Sequence, residues 1–273
     1  MAIPLEDFSE DIIGKAQRGL SIDTGELAER TGLDREQIKA LRMGGSDKES
    51  IMRVAPALGL HPDTLLASAK KEWFPNQPEI PGLYAFHTYY GDMIVNAYLL
   101  HSLESDEAIV FDTGTDCSEI LNQLRKKDLK LAAICLTHSH RDHIAELDSL
   151  RAATGNPPAF IHKDEPVHGA ETIEEGWTLE TAGLRLNSRK TSGHSPAGIT
   201  YVVDGMPAPV AIVGDALFAG SMGGGMVSYE DALQNNREKI LTLSDDTVLC
   251  PGHGPLSTVS QEKSHNPFFP EFK

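Results

Sequence analysis

The sequence is poor in cysteine, in basic residues and in long apolar runs. Its three cysteines, Cys117, Cys135 and Cys250, are odd in number and widely spaced, which argues against a disulfide framework and is typical of a reducing compartment. No stretch approaches the roughly 18–20 consecutive apolar residues that a membrane span needs. The acidic start of the chain lacks the basic and apolar regions of an export signal. We therefore expect a cytoplasmic protein with no membrane partner.

Positive charge is also scarce. The chain has 24 Lys and Arg against 40 Asp and Glu, a net charge of −16. Such an excess repels polyanions at long range, so nucleic acid is not an expected partner and a small-molecule substrate is. A bound anion would require a local positive charge such as a metal ion.

The pattern of apolar residues changes once along the chain. Residues 1–72 have the 3.6-residue spacing of helices, whereas residues 82–273 alternate short Val- and Ile-rich runs with helical stretches, which predicts an α/β domain. Residues 73–81 contain three prolines and predict an extended linker. The clearest predicted strands are residues 93–100, 108–111, 131–137, 199–203 and 210–213, and the clearest predicted helices are residues 118–127, 144–154 and 229–244.

Four side chains of the types that bind metals occur within six residues. His138 and His140 follow a predicted buried strand, and two residues at i and i+2 in extended backbone point to the same side. The turn that follows brings Asp142 and His143 round to face them. Imidazole and carboxylate groups suit zinc and similar divalent ions.

Three further candidate ligands lie in separate loops, each next to a glycine that permits a sharp turn: His194, Asp215 and His253. Asp215 follows a short predicted strand, and the ends of such strands are where α/β sheets gather their ligands. The seven residues together predict a metal site. The other six histidines are interpreted as solvated or hydrogen-bonded: His61, His87, His101, His162, His168 and His265.

The His138-x-His140-x-Asp142-His143 run, followed in order by His194, Asp215 and His253, resembles the metallo-β-lactamase superfamily over roughly residues 80–273. Residues 111–114, 214–218, 245–255 and 266–268 are most similar to the glyoxalase II-like hydrolases of that superfamily. The resemblance implies an αββα sandwich, with two sheets covered by helices and the metal site at one edge.

The resemblance also implies a two-metal centre. His138, His140 and His194 would hold one ion, Asp142, His143 and His253 the other, and Asp215 would bridge them. Asp112 would support the ligand loop by hydrogen bonding. Zinc is the first expectation for both ions, with iron and manganese as alternatives. A hydroxide between the ions would attack an activated acyl group, a thioester, ester or lactone, and Asp142 or Asp215 would take up a proton.

Two features depart from glyoxalase II. The chain ends twenty residues after His253, without the basic helical extension that serves glutathione there, and residues 219–225 lack an arginine often found in relatives. Glutathione thioesters are therefore only one of the expected substrates.

Residues 26–42 have the spacing of a helix-turn-helix, with Ala28 where the helices touch, Gly32 at the turn and Ile38 in the second helix. They resemble the Cro and phage-repressor group. However, residues 1–72 hold ten Lys and Arg against thirteen Asp and Glu, a net charge of −3, whereas a DNA reader should be basic. We expect a packing or dimerisation module, and a homodimer formed through it is the suggested arrangement.

Two alternatives to the dinuclear hydrolase remain open at this point. One is a mononuclear iron persulfide dioxygenase, which would need only three ligands on one metal and would leave Asp142, His143 and His253 without that role. The other is a ligand-sensing regulator that reports to DNA through the helical segment, against which its acidic charge argues.

Overall fold

Two six-stranded sheets stacked face to face form the centre of the protein. The structure, a computed structural model, describes residues 3–273, so Met1 and Ala2 of the predicted helical segment lie outside the described residues. Among the residues described, no helix is both long and apolar enough to cross a membrane.

The first sheet is mixed. Its strands follow one another in chain order. The first, second and third strands pair antiparallel, and the third to sixth strands pair parallel. They are β1 (Leu83–Tyr90), β2 (Met93–Leu100), β3 (Glu107–Phe111), β4 (Lys130–Cys135), β5 (Ala159–His162) and β6 (Glu171–Ile173).

The second sheet also keeps chain order across its width. All its neighbouring strands are antiparallel except β10 and β11, which are parallel. Its strands are β7 (Thr178–Thr181), β8 (Leu184–Lys190), β9 (Ile199–Asp204), β10 (Val210–Gly214), β11 (Val248–Pro251) and β12 (Ser257–Thr258).

Apolar side chains of both sheets form the core between them, where the rings of Phe111 and Tyr201 lie 5.6 Å apart. Cys135 and Cys250 are buried in this core, and Cys117 is buried on the outer face of the first sheet. All three cysteines are free, as the sequence predicts.

Helices cover the outer faces of both sheets, which gives the predicted αββα layering. On the first sheet lie α6 (Ser118–Lys127) and α8 (Leu147–Ala153); a short α7 (Arg141–Ile144) precedes α8. On the second sheet lie α9 (Tyr229–Asn235), extended by a π-helical turn (Asn236–Ile240), and α10 (Val259–His265). A 3₁₀ turn (Pro270–Phe272) ends the chain.

The helix predicted for residues 144–154 forms as α8, but it begins only at Leu147, after a break that separates it from the short α7. Thr113, at the end of β3, donates to the carbonyl of His143 from both its backbone N–H (2.7 Å) and its hydroxyl (3.0 Å), and that hydroxyl also accepts from the N–H of Glu146. These tertiary bonds replace the helical ones, so α7 turns Asp142 and His143 toward the sheet edge.

The N-terminal part of the chain folds into five helices. They are α1 (Ser9–Gly19), α2 (Thr24–Thr31), α3 (Arg35–Arg42), α4 (Lys48–Ala57) and α5 (Pro62–Ala69). Asp34 caps α3 and Gly32 ends α2 with a φ of 67°, so the two helices are joined by a three-residue turn, residues 32–34. Ala28 and Ile38 are buried as the pattern predicts, and the assignment of α2 and α3 to a Cro-like helix-turn-helix stays a prediction.

One apolar cluster joins these five helices to the helices and strands of the second sheet. At the junction, Gly19 of α1 lies against the ring of Tyr229, and the N–H of His61 donates to the carbonyl of Pro267 at 2.8 Å. Residues 73–81, the predicted linker, carry no helix or strand, and Trp73 within them stacks on His265 at 4.8 Å between ring centroids.

Replacing Gly19 by Ala should lower the free energy of unfolding by about 1–3 kcal/mol, because the new Cβ would lie 2.2 Å from Cγ of Tyr229 and the packed ring must move. Alanine otherwise stabilises a helix relative to glycine by roughly 0.5–1 kcal/mol, so it is the clash that makes the change in the free energy of unfolding unfavourable. Urea unfolding followed by circular dichroism measures the change.

Gly14→Ala in the same helix is the matched control. Its Cβ would meet only the far end of the flexible Arg42 side chain, so its stability should stay within about 1 kcal/mol of the wild type. Equal stability of the two variants would show that the contact between α1 and α9 does not constrain this position.

Candidate metal centre

The seven predicted ligands meet at one edge of the sandwich, where β4, β10 and β11 end. His138 and His140 follow β4, Asp215 follows β10 and His253 follows β11, while His194 lies in the loop between β8 and β9. The structure arranges them in two groups whose candidate ligand atoms lie within 4.8 Å of one another: His138, His140, His194 and Asp215 in the first, and Asp142, His143 and His253 in the second.

Three imidazole nitrogens converge in the first group. Nδ1 of His140 lies 3.0 Å from Nε2 of His138 and 3.1 Å from Nε2 of His194. Lone pairs this close repel one another unless a proton or a metal ion lies between them. This arrangement fits three nitrogen ligands of one cation.

The second group surrounds the carboxylate of Asp142. Its Oδ2 lies 3.5 Å from Nε2 of His143 and 3.4 Å from Nε2 of His253. All three side chains are buried, so their polar atoms have little access to water. Two nitrogens and a carboxylate oxygen form a donor set that suits zinc, iron or manganese.

Asp215 lies between the two groups. Its Oδ2 is 3.3 Å from Nε2 of His194 and 3.4 Å from Nε2 of His253, and its Oδ1 is 3.4 Å from Nε2 of His143. Oδ1 of Asp215 and Nε2 of His143 are buried and have no hydrogen-bond partner. Buried polar atoms without partners are costly, and a pair of cations at this point would satisfy both.

Hydrogen bonds at the opposite ring nitrogens turn the imidazoles inward. Nδ1 of His253 donates to the carbonyl of Ile94 at 2.7 Å, and Nδ1 of His194 donates to that of Gly224 at 3.1 Å. Each ring therefore presents Nε2 to the centre, the arrangement that metal-binding histidines adopt.

Asp112, at the end of β3, organises the loop that follows β4. Its carboxylate accepts from the N–H of Thr137 at 2.7 Å, from the hydroxyl of Thr137 at 2.8 Å and from Nδ1 of His143 at 2.8 Å. The hydroxyl of Thr137 in turn accepts from Nδ1 of His138 at 3.0 Å. Asp112 has a φ of 55°, a strained backbone that these bonds maintain. The contacts match the supporting position predicted for Asp112.

Glu165, which the sequence did not single out, fastens two ligand loops together. Its buried carboxylate accepts from the N–H and hydroxyl of Ser139, at 2.9 and 2.7 Å, and from the N–H of Ala197 at 2.6 Å. Ser139 lies between His138 and His140, and Ala197 lies in the His194 loop. Glu165 follows β5, which is parallel to β4, so both strands end at the same edge of the sheet. An acidic residue at that edge is the feature by which the sequence could have indicated Glu165.

Asn96 performs the same function for the loop of His253. Its side-chain amide donates to the carbonyls of Pro251 at 2.9 Å and Gly254 at 2.8 Å, on either side of the histidine. Tyr98 adds a third bond, from its hydroxyl to Pro251 at 2.7 Å. Both residues lie on β2 among apolar neighbours, and nothing in their local sequence distinguishes them.

Burial and charge set the protonation of the centre. Burial lowers the pKa of His138 well below its ordinary value, so its ring is neutral and able to bind a cation. Although burial acts against ionisation of Asp215, His253 and His143 hold its pKa well below the usual range. Burial also acts against the charged form of His253, but Asp215 and Asp142 raise its pKa to about 11. A metal ion in the second group would therefore displace a proton.

Part of the chain is similar to known proteins. The sequence model of the metallo-beta-lactamase superfamily matches residues 90–253. The chain is 33% identical to the probable metallo-hydrolase YqgX of Bacillus subtilis, over 67% of this chain and 95% of that protein. It is 28% identical to the hydroxyacylglutathione hydrolase GloC of Haemophilus influenzae, over 63% of this chain and 92% of that one.

Among solved structures, the protein TTHA1623 in a di-iron-bound form superposes with a TM-score of 0.54 at 25% identity, covering 67% of this chain and 99% of the other. The family match, the extent of the shared sequence and the sandwich fold agree with the order of the seven side chains, and the chain belongs to the metallo-beta-lactamase superfamily.

Proposed function

We propose that the protein is a dinuclear metal-dependent hydrolase of small activated acyl compounds. The observation that carries the proposal is the position of Asp215, whose two carboxylate oxygens face the two ligand groups. A residue placed in this way can bridge two ions, and the seven side chains exceed what one ion needs from protein. Zinc is the first proposal for both ions, and the similarity to a di-iron protein supports iron as the alternative.

Two divalent ions in these groups would supply hydroxide at neutral pH and polarise a carbonyl. The chain's own residues fix where that chemistry occurs. Asp215 and His143 are both buried, and the bond of His143 to Asp112 holds its ring, so these two residues would set the spacing of the two groups. Asp142, in the second group, has its Oδ2 beside Nε2 of His253 and is placed to take up the proton released when water adds to the substrate.

A thioester, ester or lactone is the substrate class that this site suits, because each carries an activated carbonyl and needs no protein nucleophile. The 28% identity to a hydroxyacylglutathione hydrolase supports a thioester and a glyoxalase II-like activity. We further propose a cytoplasmic location, which the three free and buried thiols support.

The completeness of the second ligand group favours this function over a mononuclear iron dioxygenase. Asp142, His143 and His253 are buried around a common point and carry polar atoms that a single ion in the first group would not satisfy. A one-metal enzyme would leave these three groups buried at a cost without a function.

We infer that the helical segment packs against the hydrolase part and does not read DNA. Three of its basic side chains pair with glutamates one turn away, at 2.6–2.7 Å: Arg30 with Glu26, Lys39 with Glu36 and Arg53 with Glu49. Arg42 is half-buried over Gly14. Few cations are left free on a segment that is already acidic, so neither a DNA-binding regulator nor a nucleic-acid partner is favoured. A homodimer through this segment stays a prediction.

Asp142→Ala should lower the metal content from two ions per chain toward one and reduce hydrolysis of a thioester or ester by roughly 100-fold or more, since the second ion loses its carboxylate. Elemental analysis and initial rates measure both effects. Asp148→Ala, an exposed change on α8, is the control. Persulfide-dependent oxygen uptake that survives Asp142→Ala in iron-loaded protein would assign the function to the dioxygenase instead.

Glu165→Gln should weaken metal binding by about 10–100-fold. The NH2 group of the new amide would face the N–H of either Ser139 or Ala197, so one of these bonds is lost and the loops of His138 and His194 separate. Chelator competition gives the affinity. The matched change Glu171→Gln, at an exposed site on β6, should leave it unaltered. Unchanged affinity in both variants would refute the role given to Glu165.

The full chain should show no sub-micromolar affinity for mixed-sequence duplex DNA near physiological ionic strength, because its helical segment offers few free cations. Fluorescence anisotropy titrations over a range of salt concentrations test this. Tight, salt-dependent binding that disappears when Arg35, Lys39 and Arg42 are changed to Ala would contradict it.

A further inference from the structure

The chain segment that precedes α1 lies against the loop of His253. Gly254, the residue after this candidate ligand, has a φ of 74°, and a Cβ placed there would lie 3.2 Å from the backbone N and 3.5 Å from the Cβ of Glu6. The same Cβ would be 3.7 Å from the carbonyl oxygen of Pro4. The backbone of residues 4–6 is thus in van der Waals contact with a loop of the metal centre.

Asp7 fixes this segment in place. Its buried carboxylate accepts from the hydroxyl of Ser221 at 2.7 Å and forms an ion pair with Lys15 of α1. Lys15 also donates to the carbonyl of Met222 at 2.9 Å and lies 5.0 Å from the ring centroid of Phe218. These bonds join the N-terminal segment to the loop that follows Asp215.

The ring of Phe218 completes the connection, because it meets the ring of His253 edge to face at 5.7 Å between centroids. The N-terminal segment, α1 and the loop after Asp215 therefore form one side of the centre. The N-terminal segment and α1 lie outside residues 90–253, the part that the family's sequence model matches, so Glu6 is a feature of this chain that the family match does not cover.

Glu6 brings a carboxylate to this side of the site. The side chain is half-buried, and the charges of His253 and Asp215 act on it: burial raises the pKa of Glu6 to about 7, His253 lowers it and Asp215 raises it further. The effect of His253 on the pKa of Glu6 agrees with the backbone contact at Gly254, the next residue. Among the candidate ligands, His253 is the one whose loop Glu6 contacts, through Gly254.

We propose that Glu6 is a specificity-determining residue, which favours acyl substrates with a cationic leaving group over those with an anionic one. The proposal rests on the proposed acyl hydrolysis. A carboxylate in a partly desolvated position attracts a cation and repels an anion that comes to rest beside it. Discrimination then follows from the charge on the leaving group, while its size and its activated carbonyl stay the same.

The test uses a matched pair of thiols, thiocholine and 3-mercaptopropionate, and their S-butyryl esters. Each thiol places its charge a few bonds from a sulfur that can reach the centre. The two charged groups also differ in bulk and in their effect on thiol acidity, and these differences cancel when the preference of each variant is compared with that of the wild type. Dissociation constants of the free thiols and kcat/KM of the esters are measured on metal-replete wild type, Glu6→Gln, Glu6→Lys and Glu29→Gln at about pH 8, above the pKa of Glu6. Glu29 is exposed on α2 and makes the matched control for removal of one charge.

The wild type and Glu29→Gln should prefer the cationic member of the pair, in binding and in kcat/KM. Glu6→Gln should reduce that preference by about tenfold, and Glu6→Lys should reverse it. Metal content should be the same in all four proteins. An unchanged preference in Glu6→Gln overturns the proposal, and so does a loss of metal in that variant, which would make Glu6 a residue for metal retention.

The two measurements separate this proposal from the proposed function. Failure of the wild type to hydrolyse either ester would refute acyl hydrolysis, whereas the ratio of thiol dissociation constants would still decide the role of Glu6. Hydrolysis of both esters with no effect of Glu6→Gln on either ratio would refute the role of Glu6 alone.

Discussion

The burial of one carboxylate, that of Asp215, is the constraint on which the site depends. Asp215 is almost inaccessible to solvent and receives no hydrogen bond at Oδ1, so its charge must be balanced by neighbours that are cations or hold cations. The imidazoles of His143, His194 and His253 surround it at 3.3–3.4 Å. Their positions depend on Asp112, Gly224 and Ile94, which bind the opposite ring nitrogens. Strand β2, the end of β3 and the loop after Asp215 thus hold the histidines around the carboxylate of Asp215.

The candidate ligands could be named from the sequence because the information about them is local. His138, Asp215 and His253 each follow a strand end and carry a ligand-type side chain. Strands β2 and β9 were predicted to within one residue of where the structure has them, because each is a mostly apolar run that only one polar residue interrupts, Asn96 in β2 and Thr200 in β9. Strand β8 was not predicted. It is buried on one face only and carries Arg185, Asn187 and Arg189 on the other, so its apolar signal is diluted.

The supporting residues could not be predicted because they act across large separations in sequence. Asn96 binds a loop more than 150 residues away, and Glu6 lies against Gly254. The break between α7 and α8 has the same origin, since it depends on Thr113 from a different strand. In each case the local sequence is that of an ordinary strand, segment or helix. The residue that it contacts is brought close only when the sandwich is packed. The glyoxalase II-like resemblance implied the supporting role of Asp112. For Glu165 the sequence offered only one indication, its position after a strand that is parallel to β4.

Because of the apolar cluster between the helical segment and the second sheet, neither part can be lost or gained in evolution without changes in the other. A lineage that lost α1–α5 would uncover aromatic rings such as Tyr229 and Phe268, and would have to replace them with polar residues to avoid association through the exposed patch. A lineage that acquired the helices would need those rings in place before the new surface could pack. A larger residue at position 19 should therefore occur among descendants of this chain together with a change at Tyr229, because a side chain at position 19 clashes with that ring.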